Sequence, residues 1–158
     1  RDLPRAEWTP VGPSSYELLY RSGAGLTPRP LRRIASGGEL SRVMLASKVV
    51  LGNADGVDTL VFDEVDAGVG GSTARALAGV LADLAATHQV IVVTHLAQVA
   101  VMADKHYVVS KEPGDVPQTH LDEVTGEART AEIARMLSGD QSEASLAHAR
   151  QMLEEARG

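Results

Sequence analysis

Thr59-Leu60-Val61-Phe62-Asp63-Glu64-Val65-Asp66 is an apolar run that ends in acidic residues. A short apolar run bounded by a turn is typical of a buried strand in a parallel sheet. Such strands present functional groups at their carboxyl ends, in the crevice where ligands bind. Residues 59–63 therefore predict a buried strand with a site formed by Asp63 and Glu64 at its end. The alternative is an acidic turn without a binding function.

A second apolar run, residues 89–94, ends at His95 and predicts another buried strand. Helical patterns alternate with these strands, which predicts an α/β domain with a mostly parallel sheet and flanking helices. The predicted strands are 16–21, 59–63, 89–94, 106–110 and 119–124, and residues 112–117 form a loop. The predicted helices are 37–51, 73–87, 96–103, 130–138 and 142–156.

Composition narrows the class of protein. The chain has 158 residues, a net charge of −6 and no cysteine. The acidic balance argues against a dedicated nucleic-acid domain, and the lack of cysteine excludes disulfides and thiolate metal sites. No apolar stretch approaches the roughly 18–20 residues of a membrane span, so we expect no membrane partner. Because the chain begins at Arg1 in a proline-rich segment, we expect it to be a piece of a longer protein.

Two further motifs carry chemistry. Ser36-Gly37-Gly38-Glu39 has a capping-box pattern at the start of a helix, where two glycines allow a phosphate to approach the helix N-terminus closely. The alternative is a simple capped helix. Thr94-His95 ends the second strand, where a histidine could contact a phosphate or an attacking water, although a single His is more often structural. The phosphate-binding pattern Gly-x-x-x-x-Gly-Lys-Ser/Thr is missing from the sequence.

These pieces, in this order and without a P-loop, resemble the carboxyl-terminal half of an ABC-type ATPase head. Residues 36–42 resemble the signature motif, and residues 60–64 resemble the Walker B strand with its catalytic glutamate. Residues 67–70 lie where the D-loop would be, and His95 lies where the switch histidine would be.

The form of these motifs in this chain resembles a narrower group than the whole ABC superfamily. Glu39 and residues 63–66 resemble SMC-like chromosome and repair proteins rather than transporter subunits. Within that group, four segments look like the bacterial RecN family of DNA repair proteins: 34–42, 62–71, 93–100 and 132–137. Ala97 replaces a proline that is frequent there, and Gly70 replaces the aspartate that ends most D-loops.

The resemblance implies a P-loop NTPase-like fold that lacks its amino-terminal half. Residues 1–158 would form the carboxyl-terminal lobe of an ABC/SMC-like ATPase head. Residues 1–30 would be an irregular entry segment with one strand, and residues 31–158 would carry the signature, Walker B, D-loop and switch-histidine region. The missing half would supply the P-loop, with a long coiled coil between the two halves.

The resemblance also implies roles for single residues in binding ATP and Mg²⁺. Glu64 would be the general base, His95 would sense the γ-phosphate, and Asp63 would support Mg²⁺ through water. The nucleotide on an opposite head would be contacted by Ser36, Gly37, Gly38 and Glu39. Contacts between two heads at the nucleotide would come from Asp66, Ala67, Gly68 and Gly70.

The function implied by the resemblance is ATP hydrolysis between two heads during repair of DNA double-strand breaks. The implied partners are DNA through the full-length protein, a second head, the amino-terminal P-loop half and recombination proteins such as RecA. The implied location is the bacterial cytoplasm, at the nucleoid. Two alternatives are an ABC transporter nucleotide-binding subunit and a non-catalytic interaction module. We expect the isolated chain to be inactive because it has no P-loop.

Overall fold

Strands and helices alternate along the chain in the computed structural model, which describes residues 4–10, 12–34, 36–112 and 118–157. The α/β prediction is thus confirmed. The strands are β1 (Leu19–Tyr20), β2 (Arg29–Pro30), β3 (Thr59–Phe62), β4 (Gln89–Val92), β5 (His106–Glu112) and β6 (Gln118–Val124). The helices are α1 (Gly37–Leu51), α2 (Gly71–Ala85), α3 (Ala97–Ala100), α4 (Gly126–Ser138) and α5 (Glu143–Glu155). Most of the loop predicted at 112–117 lies outside the described residues.

Strand pairing differs from the expected single, mostly parallel sheet. The described strands form three two-stranded sheets, β1–β2, β3–β4 and β5–β6. The β3–β4 pair is parallel, with Thr59 opposite Gln89 and Phe62 opposite Val92. The other two pairs are antiparallel, because short connections join their strands whereas a parallel pair needs a long crossover such as α2. The two strands that lead to Asp63 and to His95, β3 and β4, are adjacent.

Helix α1 begins and ends where the sequence predicts. The Ser36 hydroxyl accepts a hydrogen bond from the backbone N–H of Glu39 at 3.4 Å and so caps the helix. Gly52 follows the last residue with a φ of +55°, a left-handed conformation that favours glycine. The signature-like segment therefore forms the first turns of a 15-residue helix.

One hydrophobic core lies between the β3–β4 pair and the helices around it. Side chains alternate along β3, so Leu60 and Phe62 are buried while Val61 is 66% exposed. On the same open side, Val93 directly after β4 is 58% exposed. The buried members of this core are Leu45, Leu60, Phe62, Val65, Leu77, Ala78, Leu81, Leu84 and Val99. One face of the parallel pair is thus packed against the chain and the other is open.

A second core joins α3, α4 and α5. Ile133 and Ala134 on α4 and Ala149 on α5 are fully buried, and they pack with Ala97, Ala100, Val101 and Leu153. This core supports the segment that directly follows His95. Across the described ranges, no helix combines the length and the apolar character needed to cross a membrane.

Candidate functional site

The chain after β3 forms an acidic turn, residues 63–70. The N-terminal turns of α1 pack directly against this turn. The Ser41 hydroxyl donates to the carbonyl oxygen of Asp63 at 2.6 Å. Arg42 Nη1 donates to the carbonyl oxygens of Val65 at 3.1 Å and Ala67 at 2.9 Å. Hydrogen bonds from a charged donor are stronger than neutral ones. The signature-like helix and the acidic turn, some 25 residues apart in sequence, therefore form one local structure.

Glycine is required where α1 and the turn meet. A Cβ atom added to Gly38 would lie 2.8 Å from both the Cβ of Ala67 and the backbone oxygen of Glu64. A Cβ on Gly37 would overlap with Oε2 of Glu64. At both glycines the added Cβ would lie closer to its neighbours than van der Waals contact allows. The two glycines thus serve a close approach of backbone and carboxylate, which a simple capped helix would not need.

Glu64 has a φ of +56°, a left-handed conformation that is unfavourable for a residue with a Cβ. Backbone strain of this kind costs on the order of 1–3 kcal/mol and is concentrated at functional sites. The conformation turns the chain sharply after β3 and leaves Asp63 and Glu64 exposed. The Glu64 carboxylate lies against Gly37 at the start of α1. The prediction that these two carboxylates lie at the end of a strand is confirmed, but β3 is buried on one face only and β4 has no fully buried residue.

Asp66 is buried, with only 2% of its surface exposed. Its Oδ2 atom accepts hydrogen bonds from the Thr94 hydroxyl at 2.5 Å and from the His95 backbone N–H at 3.0 Å. The same oxygen lies 3.1 Å from Nδ1 of His95, whose side chain is 69% exposed. The Asp66 carboxylate therefore makes its hydrogen bonds within its own chain. The resemblance implied that Asp66 contacts a second head, whereas this side chain is buried. Gly68 and Gly70 are exposed and Ala67 is half-buried.

The exposed carboxylates of Asp63 and Glu64 suit a metal site whose remaining ligands are waters and phosphates. Within the described part of the chain, no group of three or more His, Cys, Asp or Glu side chains could hold a metal ion. Mg²⁺ in nucleotide sites is commonly bound through one or two carboxylates together with waters and phosphates. Asp63 at the end of β3 suits that partial role, while the N-terminus of α1 suits an anion.

Curated relatives match most of this chain. It is 52% identical over 146 residues to "DNA repair protein RecN" of Treponema pallidum (strain Nichols), a match that covers 91% of this chain and 26% of the relative. The RecN protein of Deinococcus radiodurans is 52% identical over 149 residues, covering 94% of this chain and 26% of the relative. This chain belongs to the RecN family. It spans about a quarter of the length of the curated RecN proteins it matches.

Two other comparisons add little to the RecN match. No protein-family model matches the chain. A solved structure from work on ATP-driven dimerization and DNA-stimulated activation of SMC ATPases aligns with a TM-score of 0.47 and 21% identity, covering 85% of this chain and 69% of that chain. At that TM-score and identity the likeness is weak.

The structure adds residues to this part of the RecN chain that sequence reasoning missed. Ser41 and Arg42 lie within the signature-like segment, yet their partners are backbone carbonyls that no sequence pattern reveals. Arg129 on α4 is the third: its Nη2 donates to the carbonyls of Ala100 and Val101 at 3.2 Å each and of Ala103 at 2.6 Å. Arg129 thus satisfies carbonyls at the C-terminus of α3, the helix that follows His95.

A half-buried histidine, His106, lies close to Arg129. Burial lowers the pKa of His106 below its usual value, the nearby Arg129 lowers this pKa further, and Glu132 partly opposes the change. Because the folded-state pKa is depressed, the unfolded chain binds a proton more readily than the folded chain as the pH falls. The stability contributed by neutral His106 is therefore present above pH 6.5 and decreases as the pH falls below that value.

We expect a His106→Gln variant to lose less stability than the native sequence between pH 7.5 and pH 5.5, values that lie about one unit on either side of the ordinary histidine pKa. The measurement is the urea midpoint of unfolding at both pH values. His148→Gln is the matched control, because His148 is an exposed histidine on α5. An identical pH dependence in the His106 variant and the native sequence would contradict the assignment.

Proposed function

We propose that this chain supplies the signature segment and the catalytic strand end of an ATPase that acts in repair of DNA double-strand breaks. The remainder of a longer protein would supply the phosphate-binding loop. The relatives at about 50% identity carry the name DNA repair protein RecN, which supports the role in repair. We expect the isolated chain to lack ATPase activity, because the phosphate-binding pattern is missing from its sequence.

The observation that carries the proposal is the contact between the start of α1 and the turn after β3. A Cβ at Gly37 or Gly38 would collide with Glu64 or Ala67, so both positions need glycine. Glu64 lies against Gly37 with a left-handed φ of +56°, which is unfavourable for a residue with a Cβ. An anion-binding helix start and a pair of exposed carboxylates are thereby brought to the same place. Structural stability alone does not require this combination.

Each residue has a specific task in this proposal. Glu64 accepts a proton from the attacking water, and His95 contacts the terminal phosphate with its exposed ring. Asp63 would hold Mg²⁺ through water, and that ion would neutralise phosphate charge. Ser36, Gly37, Gly38 and Glu39 would contact the nucleotide bound to a second head.

Contacts between the heads in this proposal come from the exposed part of the turn, namely Gly68 and Gly70, together with half-buried Ala67. The wider proposal includes DNA as a partner of the full-length protein and recombination proteins such as RecA. It places the protein in the bacterial cytoplasm, at the nucleoid. ATP turnover by the full-length protein should accordingly respond to DNA.

A mixing experiment tests whether the site is shared between two heads. In the full-length protein, Ser36→Arg blocks the signature segment and Glu64→Gln blocks the base, so we expect each variant alone to be inactive. A symmetric dimer has two equivalent sites. A mixed dimer of the two variants keeps one site whose base and signature segment are both intact.

The expected result is that equal amounts of the two variants recover about a quarter of native turnover, since half the dimers are mixed and each has one of two sites intact. The control mixes Ser36→Arg with the double variant Ser36→Arg/Glu64→Gln, which leaves every dimer without an intact signature segment. If the mixture of single variants stays inactive although dimers form, the signature segment and the base act within one head and the shared site is refuted.

A further inference from the structure

We propose that Asp66 is a positioning residue for His95. The proposal rests on the proposed function, because it assumes that His95 acts on ATP. The resemblance implied a surface role for Asp66 between two heads, whereas its carboxylate is buried and directed to the end of β4.

The contacts of Asp66 converge on one atom. Oδ2 accepts from the Thr94 hydroxyl and from the backbone N–H of His95, and Nδ1 of the His95 ring lies 3.1 Å away. The Thr94 hydroxyl oxygen in turn accepts from the backbone N–H of Leu96 at 3.0 Å. A single carboxylate oxygen therefore organises three successive residues at the end of β4.

This arrangement selects one nitrogen of His95 for contact with a ligand. An ionised carboxylate only accepts hydrogen bonds, so the neutral ring carries its proton on Nδ1, next to Asp66. Nε2 then accepts a hydrogen bond from a water, and it donates to a phosphate oxygen when the ring also carries a proton there. Histidines that act in catalysis are oriented in the same way by a carboxylate that itself touches no substrate.

The turn that carries Asp66 is also held by helix α1. Arg42 on α1 donates to the carbonyl oxygens of Val65 and Ala67, the two residues that flank Asp66. The Asp66 backbone is therefore restrained by α1 while its side chain restrains residues 94–96. His95 thus depends for its position on the same turn that places Glu64.

A purely structural role for Asp66 makes a different prediction from a positioning role. A structural defect lowers turnover independently of His95, so its effect multiplies with that of a His95 variant. A residue that acts through His95 has no further effect once the imidazole is absent. A double-mutant cycle measures this difference.

The cycle uses the full-length protein with Asp66→Ala, His95→Ala and the double variant. We expect Asp66→Ala to lower kcat about 10- to 100-fold, as removal of an orienting partner typically does, with a smaller change in the KM for ATP. In the His95→Ala background, the same substitution should leave kcat nearly unchanged. Multiplying effects would overturn the positioning role. An unchanged kcat in His95→Ala alone would instead refute the role of His95 in the proposed function.

Two further variants keep the test decisive if Asp66→Ala does not fold. Asp66→Asn retains a carbonyl oxygen for the same contacts, so it should fold and keep more activity than the alanine variant, and it can replace that variant in the cycle. Asp122→Asn makes the same carboxylate-to-amide change at an exposed position of β6 and should leave kcat at the native value.

A spectroscopic measurement reports on His95 without turnover. The ¹⁵N chemical shifts of its ring should show the proton of the neutral form on Nδ1 in the native protein. The Asp66→Ala variant should show a shift toward the Nε2–H tautomer. An unchanged tautomer in a folded Asp66→Ala variant would overturn the proposal.

Discussion

Replacing Glu64 by Gln in the full-length protein is expected to lower ATP turnover by about 10²- to 10⁴-fold, the contribution typical of a general base. The glutamine amide cannot take a proton from the attacking water. It has nearly the same size and shape, so the side chain can still lie against Gly37. The backbone keeps the same left-handed φ, and the fold around the turn should persist.

ATP binding and association of the heads should survive this substitution, because neither needs the proton acceptor. The measurements are steady-state kcat, nucleotide affinity and the ATP-dependent dimer fraction by size-exclusion chromatography. Glu154→Gln is the matched control, since Glu154 is an exposed glutamate on α5. Turnover equal to that of the control would remove Glu64 from the role of base.

Replacing Gly38 by Ala is expected to destabilise the fold by about 1–3 kcal/mol, the usual cost of overpacking. The added Cβ would lie 2.8 Å from the backbone oxygen of Glu64 and from the Cβ of Ala67. Either atom can move away only if the backbone of the turn shifts. Gly37→Ala should behave differently, because its Cβ meets the end of the flexible Glu64 side chain. That variant should remain folded while the displaced carboxylate lowers turnover.

Urea unfolding of both variants, with turnover measured in the full-length protein, separates the two effects. Gly79→Ala is a suitable control, since a Cβ there meets nothing within 4 Å. Gly79 lies inside α2, where alanine should stabilise the helix by about 0.5–1 kcal/mol. Equal destabilisation by Gly37→Ala and Gly38→Ala would contradict the distinction between a flexible and a fixed neighbour.

Local chemistry explains what the sequence predicted well. The capping residue Ser36, the stop at Gly52 and the apolar run of β3 depend on neighbours within a few residues, so their signals are present in the chain itself. Two apolar runs separated by a helical pattern predicted the strands β3 and β4, whereas packing decided that they are neighbours. The expectation of one strand in residues 1–30 was wrong, since β2 pairs with β1 there. The antiparallel pairing of β5 with β6 was missed because strand direction depends on how the chain turns between the strands.

The sequence by itself determined the α/β class, the start of α1 and the acidic end of β3, because each depends on local propensity and on the period of burial. Tertiary structure decided which side chains meet. It buried Asp66 against Thr94 and His95, and it directed Arg42 to the carbonyls on either side of Asp66. Side-chain type and spacing do not specify a hydrogen bond between residues nearly 30 positions apart, since that bond exists only after β3, β4 and α1 have packed together.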